Sequence, residues 1–282
     1  MLFVLIACFV NIIGDYILID IYHLGSTGAA IATVLAQAVS VLFCLCIIKK
    51  RLPFKITKKS MSFSLYIAKG IIKLGLPIAL LRMCTEVSYL VILSIVNVYG
   101  EVASSGVGIA EKLVMFIQLI PSSYMSSIST FVAQNMGANK ENRAKKSLWV
   151  GIASACVIGG VMSYLSFFHG EWLSSLFIKD HSVIKASSEF LKATSIECFV
   201  LSISYCFDGY FNGRGKTTLV MVRGVTAALL CRIPFAYVMS LNDSSLFNIG
   251  LSTAVAAIYM LVFCCIEYAI SESKVRTKIC KK

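Results

Sequence analysis

The sequence predicts an all-α, polytopic membrane protein with about eight transmembrane helices. Three observations carry that prediction. The first is composition: 58% of the 282 residues are hydrophobic, 14% are charged, and the mean hydropathy is +0.83. A soluble domain of this length has no interior large enough for so much apolar surface, so most of it must face lipid. The second is run length. Stretches long enough to cross a bilayer, about 20 residues each, recur near 1–21, 27–48, 70–99, 105–136, 147–169, 188–211, 218–241 and 248–271. The third is charge placement. With eight spans, seventeen lysines and arginines fall in one set of loops and the tail, against Lys179 and Lys185 on the other side. Such a bias places both termini in the cytoplasm.

The elements follow in order. The first apolar run starts at Met1 with no basic n-region, so it reads as a span rather than a signal peptide, and its abrupt start suggests a chain truncated at this end. Residues 1–48 form a two-span block, and 49–66 make a basic cytoplasmic loop containing Pro53. Residues 67–272 hold six spans, and 273–282 are a basic tail. Lys69 and Lys73 are placed to snorkel to the headgroups. The faint likeness of Leu24-Gly25 and Ile249-Gly250, each followed by small residues, suggests that the six-span block repeats a unit whose first copy survives only in its last two spans.

Composition also excludes function classes. A net charge of +12 raises nucleic-acid binding, but the basic residues crowd a few loops and no nucleic-acid motif is present. Most of the eleven cysteines lie inside apolar runs, no Cys-x-x-Cys pair occurs, and His23, His169 and His181 are scattered, so no metal site is expected. Gly213-Arg214-Gly215-Lys216-Thr217 lacks the first glycine of a phosphate-binding loop and follows a membrane span rather than a strand. It reads as a tight basic turn, and no ATP site or cofactor is expected. Phe207, Tyr210 and Phe211 read as lipid-facing or packing groups.

Polar residues inside the spans are the candidate functional positions, because a charge in lipid is costly. Asn11 and Asp15 are four residues apart and share a helix face, with Thr33 in the neighbouring antiparallel span. The run Gly28-Ala29-Ala30-Ile31-Ala32 lets the two backbones approach. Carboxylate, amide and hydroxyl oxygens suit a hard cation such as Na+, and a desolvated carboxylate also takes up H+ readily. The bland reading makes Asp15 an interfacial residue and Asn11 helix glue.

The later spans carry Arg82, Glu86, Glu111, Lys112, Glu197, Asp208 and Arg232. Arg82 and Glu86, at i and i+4, read first as a mutually neutralising pair. Glu197 has Lys192 five residues before it. Glu86, Glu197 and Arg82 are the candidates for lining a cavity that accepts cationic compounds. Asp208 reads as interfacial.

Several stretches resemble the MATE (multidrug and toxic compound extrusion) family. They are Asn11-x-x-x-Asp15 with Leu24-Gly25-x-x-Gly28-Ala29-Ala30-x-Ala32-Thr33 and Gln37; Leu74-Gly75-Leu76-Pro77; Tyr99-Gly100-Glu101-Val102-Ala103; Glu111-Lys112-Leu113; Ala133-Gln134-Asn135-Met136-Gly137-Ala138 with Arg143-Ala144; Gly213-Arg214-Gly215-Lys216-Thr217; and Arg232-Ile233-Pro234. They run through nearly the whole chain in the family's order.

The resemblance implies the last two spans of a MATE N-lobe followed by a complete six-helix C-lobe, without the first four spans. It implies an antiporter in the bacterial plasma membrane that exports amphipathic, often cationic drugs against inward H+ or Na+. It also implies a cation site at Asn11, Asp15 and Thr33, whose further aspartate, on the family's first span, has no match here. A polypeptide supplying the missing spans is then an implied partner. The alternatives are a related flippase of lipid-linked precursors, which would need a strongly cationic cavity, or a membrane scaffold or fragment without transport.

Overall fold

The computed structural model describes residues 2–51, 64–242 and 245–279. The chain forms two compact units, Met1–Ser64 and Leu65–Lys282. The lysines at 55, 58 and 59, and the last three residues, fall outside the described residues.

The first unit is a helical hairpin. Helix α1 (Leu2–Asp15) runs into a π-helical segment, π1 (Tyr16–Ile21), and α2 (Gly25–Arg51) returns. The turn is tight, with positive φ at His23 and Gly25. Gly28, Ala32 and Ala36 recur every four residues along α2 and are buried, while most of their neighbours are exposed. This small-residue stripe meets α1. A Cβ added at Gly14 would lie 3.0 Å from Ala32 Cβ, and one at Gly28 would lie 3.0 Å from the Leu18 carbonyl oxygen. The backbones therefore touch where the sequence removed side-chain bulk.

The second unit comprises α3 (Leu65–Asn97), α4 (Glu101–Gly137), α5 (Glu141–Phe168), the short α6 (Gly170–Ser175), α7 (His181–Gly213), α8 (Thr217–Thr226), π2 (Ala227–Arg232), α9 (Ile233–Asn242) and α10 (Leu246–Ile279). Helix α7 is its centre. In its candidate span 72% of the most apolar stretch is buried, against 11% in α3. Helix α4 runs beside α7 along a glycine seam: Gly106 abuts Ala186 and Ser187, and Gly209 and Gly213 abut Met125, Ile128, Ser129 and Val132. Phe207, Tyr210 and Phe211 are buried here and pack with Tyr268 or one another, so they are core groups rather than lipid-facing ones.

Among the described residues, seven helices are long and apolar enough to cross a membrane. The expected first span, 1–21, is not among the seven; its described residues form α1 and π1. The seventh expected span, 218–241, is one broken helix, α8–π2–α9, and α6 is an addition that hydropathy did not foresee. The chain is a multi-pass membrane protein.

Candidate functional site

In the hairpin, Asn11 Nδ2 donates to Thr33 Oγ1 at 3.4 Å, and Thr33 Oγ1 donates to the Ala29 carbonyl at 2.9 Å. Asp15 closes α1 at the junction with π1, and its Oδ1 is buried without a hydrogen-bond partner. A buried anionic oxygen with nothing to satisfy it calls for a cation or a proton.

The second unit gathers a charge cluster around α7. Glu197 is 1% exposed, and Arg232 Nη2 donates to its Oε1 at 3.1 Å. The Tyr89 hydroxyl donates to the same oxygen at 3.4 Å, and the Arg232 guanidinium lies over the Tyr89 ring, 4.3 Å from its centroid. That stacking adds a cation–π attraction to the ion pair. Glu111 projects from α4 toward this group, within electrostatic reach of Arg232, Glu197 and Glu86, and its Oε1 is buried without a partner. Glu197 Oε2 and two Arg232 nitrogens, Nε and Nη1, are likewise buried and unpartnered. Glu197 and Glu111 thus flank one engaged guanidinium, with exposed Glu86 within reach of Glu111, and the buried polar atoms left over are what a polar or charged ligand would satisfy. Beside the cluster, the Tyr205 hydroxyl donates to Gln118 Oε1 at 3.4 Å, and Arg82 is within electrostatic reach of Tyr205.

The structure therefore brings Glu86 and Glu197 into one region. It does not pair Arg82 with Glu86: no ion pair joins them among the described residues. The i, i+4 spacing gave proximity along α3 but fixed no pairing: Arg82 lies within electrostatic reach of Tyr205, and Glu86 of the like-charged Glu111. Glu197 pairs with Arg232, not with Lys192, because the partner comes from another helix 35 residues on.

Asp208 is also corrected. It is buried rather than interfacial, paired with the fully buried Arg223, and Glu267 Oε2 of α10 lies 3.5 Å from Arg223 Nη1. Near the same end, Arg214 bridges Glu141 at 3.1 Å and donates to the Tyr210 hydroxyl at 2.6 Å. Lys216 donates to Ser271 at 3.2 Å. The turn between α7 and α8 holds Gly215 at φ +74°, as a basic tight turn requires.

Sequence reasoning named Glu111 among the charges inside the spans without giving it a role, and passed over Tyr89, Arg223 and Glu267. A complete census of those charges would have added Arg223 and Glu267; the tyrosine carries no such signal.

The fold and these sites define a helical membrane protein with polar clusters inside its spans. The MatE family model matches residues 77–238, more than half of the chain. The chain belongs to the MatE family. The multidrug export protein MepA of Staphylococcus haemolyticus is 28% identical over 242 residues, which cover 82% of this chain and 51% of that protein. The probable multidrug resistance protein YoeA of Bacillus subtilis is 25% identical over 221 residues, covering 77% and 48%. The outward-facing structure of a multidrug resistance MATE family transporter of the MOP superfamily has the same fold, with TM-score 0.87 and 18% identity over 98% of this chain and 62% of that one. The chain spans about half the length of the curated relatives it matches.

Proposed function

We propose that this chain is part of a cation-coupled antiporter that exports amphipathic cations by alternating access. The observation that carries the reading is the cluster around buried Glu197, where Glu197, half-buried Glu111 and exposed Glu86 outnumber Arg232 and the nearby exposed Arg82. A desolvated site with surplus carboxylate attracts an organic cation, and Tyr89 offers an aromatic face beside it. The coupling H+ or Na+ binds in the hairpin at Asp15, helped by Asn11 and Thr33, and the missing partner carboxylate comes from a polypeptide supplying four further spans. Both termini lie in the cytoplasm of a bacterial plasma membrane, as the basic loops direct. The names of the curated relatives, a multidrug export protein and a probable multidrug resistance protein, support the same reading. A flippase for anionic lipid-linked precursors would want a cationic cavity, and here the balance runs the other way.

The test is equilibrium binding of ethidium to the purified protein in detergent. Glu111→Gln is expected to weaken binding about tenfold, the loss of one short-range charge in a partly desolvated site. Binding that is unchanged by Glu111→Gln and by Glu86→Gln overturns the assignment of the cavity.

A further inference from the structure

Two buried arginines on the broken helix reach the same face of α7, and the α-helical period alone would forbid it. Glu197 and Asp208 are eleven residues apart on α7, about three turns at about 3.6 residues per turn, so they share a face. Arg223 and Arg232 are nine residues apart, about two and a half turns of a regular α-helix, which sets them on opposite faces. Yet Arg223 pairs with Asp208 and Arg232 with Glu197. The difference is π2, the six residues Ala227–Arg232, which starts four residues after Arg223 and ends at Arg232 itself. At about 4.4 residues per turn, such a segment removes roughly 110° of rotation and returns Arg232 to the side Arg223 faces.

A π segment is looser than an α-helix and persists where its surroundings over-determine it. Here one end is fixed by Arg223, which is wholly buried and held from two helices, by Asp208 of α7 and Glu267 of α10. Gly224 beside it lets α8 press onto Leu81 of α3, since a Cβ there would clash at 2.1 Å from Leu81 Cδ1.

We propose that Arg223 is a positioning residue for the Glu197 cluster. Anchored to Asp208 and Glu267, it fixes the phase from which π2 winds, and so holds Arg232 on Glu197. It thereby sets how much carboxylate charge the cluster offers a cation: with Arg232 in place Glu197 is neutralised, and with Arg232 released Glu197 joins Glu111 and Glu86. The consequence for a ligand rests on the reading of the cluster as a cation site; the positioning itself does not.

The experiment has a ligand-free arm and a ligand arm, both on the purified 282-residue chain in detergent. In the first, phenylglyoxal labelling of Arg232 is followed by mass spectrometry. Labelling is expected to be slow in the parent protein and about tenfold faster in Arg223→Met, as coupling between the two pairs requires. Arg223→Met leaves two buried carboxylates uncompensated, so Asp208→Asn/Arg223→Met/Glu267→Gln, which removes all three charges, is measured beside it. Deletion of Leu230, which is 70% exposed, turns π2 into regular α-helix with the arginines eight residues apart. At about 100° per residue they stay on one side, so labelling should remain slow.

In the ligand arm, the triple variant binds ethidium more tightly, as Arg232→Met does, and adds nothing in the Arg232→Met background. Arg232 labelling that stays slow in both Arg223 variants, with helix content retained, overturns the proposal. Rapid labelling after Leu230 deletion overturns it equally, as does a triple-variant effect on ethidium that persists without Arg232. If neither the parent nor Arg232→Met binds ethidium, the cation-site reading fails, and the labelling still decides on Arg223.

Discussion

Glu197 shows why a buried charge is understood through its partner. It is enclosed on α7, and its cost is offset by Arg232, the Tyr89 hydroxyl and the aromatic face. Removing one partner leaves the other charge stranded, so Glu197→Leu should destabilise the protein by about 3 kcal/mol, while Glu197→Leu/Arg232→Met should recover most of that loss. Thermal unfolding in detergent checks this, and a double variant less stable than the single one would contradict it.

At the start of α7, Asp180 accepts from the Ser182 amide at 2.8 Å and from its hydroxyl at 2.6 Å, and these bonds hold its carboxyl below the usual carboxylate range. A depressed value means that the cap's stabilisation is present above the ordinary aspartate range and is lost as pH falls through the lowered value. Protection of the Ser182 amide, the slowing of its exchange relative to the intrinsic rate at the same pH, should therefore fall on acidification. In Asp180→Asn, which caps without titrating, that pH dependence should vanish. The individual charges were all legible in the sequence. Their pairings were not, because spacing sees only neighbours on one helix, and both buried arginines find carboxylates on other helices.

At the scale of elements, span positions follow from apolar run length and need no partner to be read. Breaks inside a span do not: π1 and π2 change winding without changing hydropathy, so the interruption of the first and seventh spans was invisible. Gly213 was legible as a turn residue, but the contact of Gly209 and Gly213 with α4 was not. Gly213 approaches Ser129 and Val132 so closely that an added Cβ would lie 2.6 Å from the Ser129 carbonyl oxygen, and Gly209 meets the Met125 carbonyl at the same distance. Backbone cannot give way as a side-chain tip can. Gly213→Ala should therefore cost about 1–3 kcal/mol by overpacking, whereas Gly160→Ala, with nothing within 4 Å, should be close to neutral. Equal unfolding temperatures for the two variants would contradict the seam.

For the whole molecule, two units carry two kinds of chemistry. The hairpin holds an aspartate oxygen without a partner beside the Asn11–Thr33 hydrogen bond, and the second unit holds carboxylates in excess around one guanidinium. In the proposed function they are the coupling-ion site and the drug site of one antiporter. The family motifs made the hairpin site legible from residues 11–33. The proposed drug site was only half legible: Glu86 and Glu197 were read, while the place of Glu111 and Tyr89 beside them needed the folded helices.

The most direct test of this account is gradient-driven flux. The chain is reconstituted in vesicles with a polypeptide carrying the four further spans of the proposal, and release of ethidium is followed under an imposed H+ or Na+ gradient. The account predicts release that depends on the gradient and is abolished by Asp15→Asn. Release that ignores the gradient, or that Asp15→Asn leaves unchanged, would contradict it.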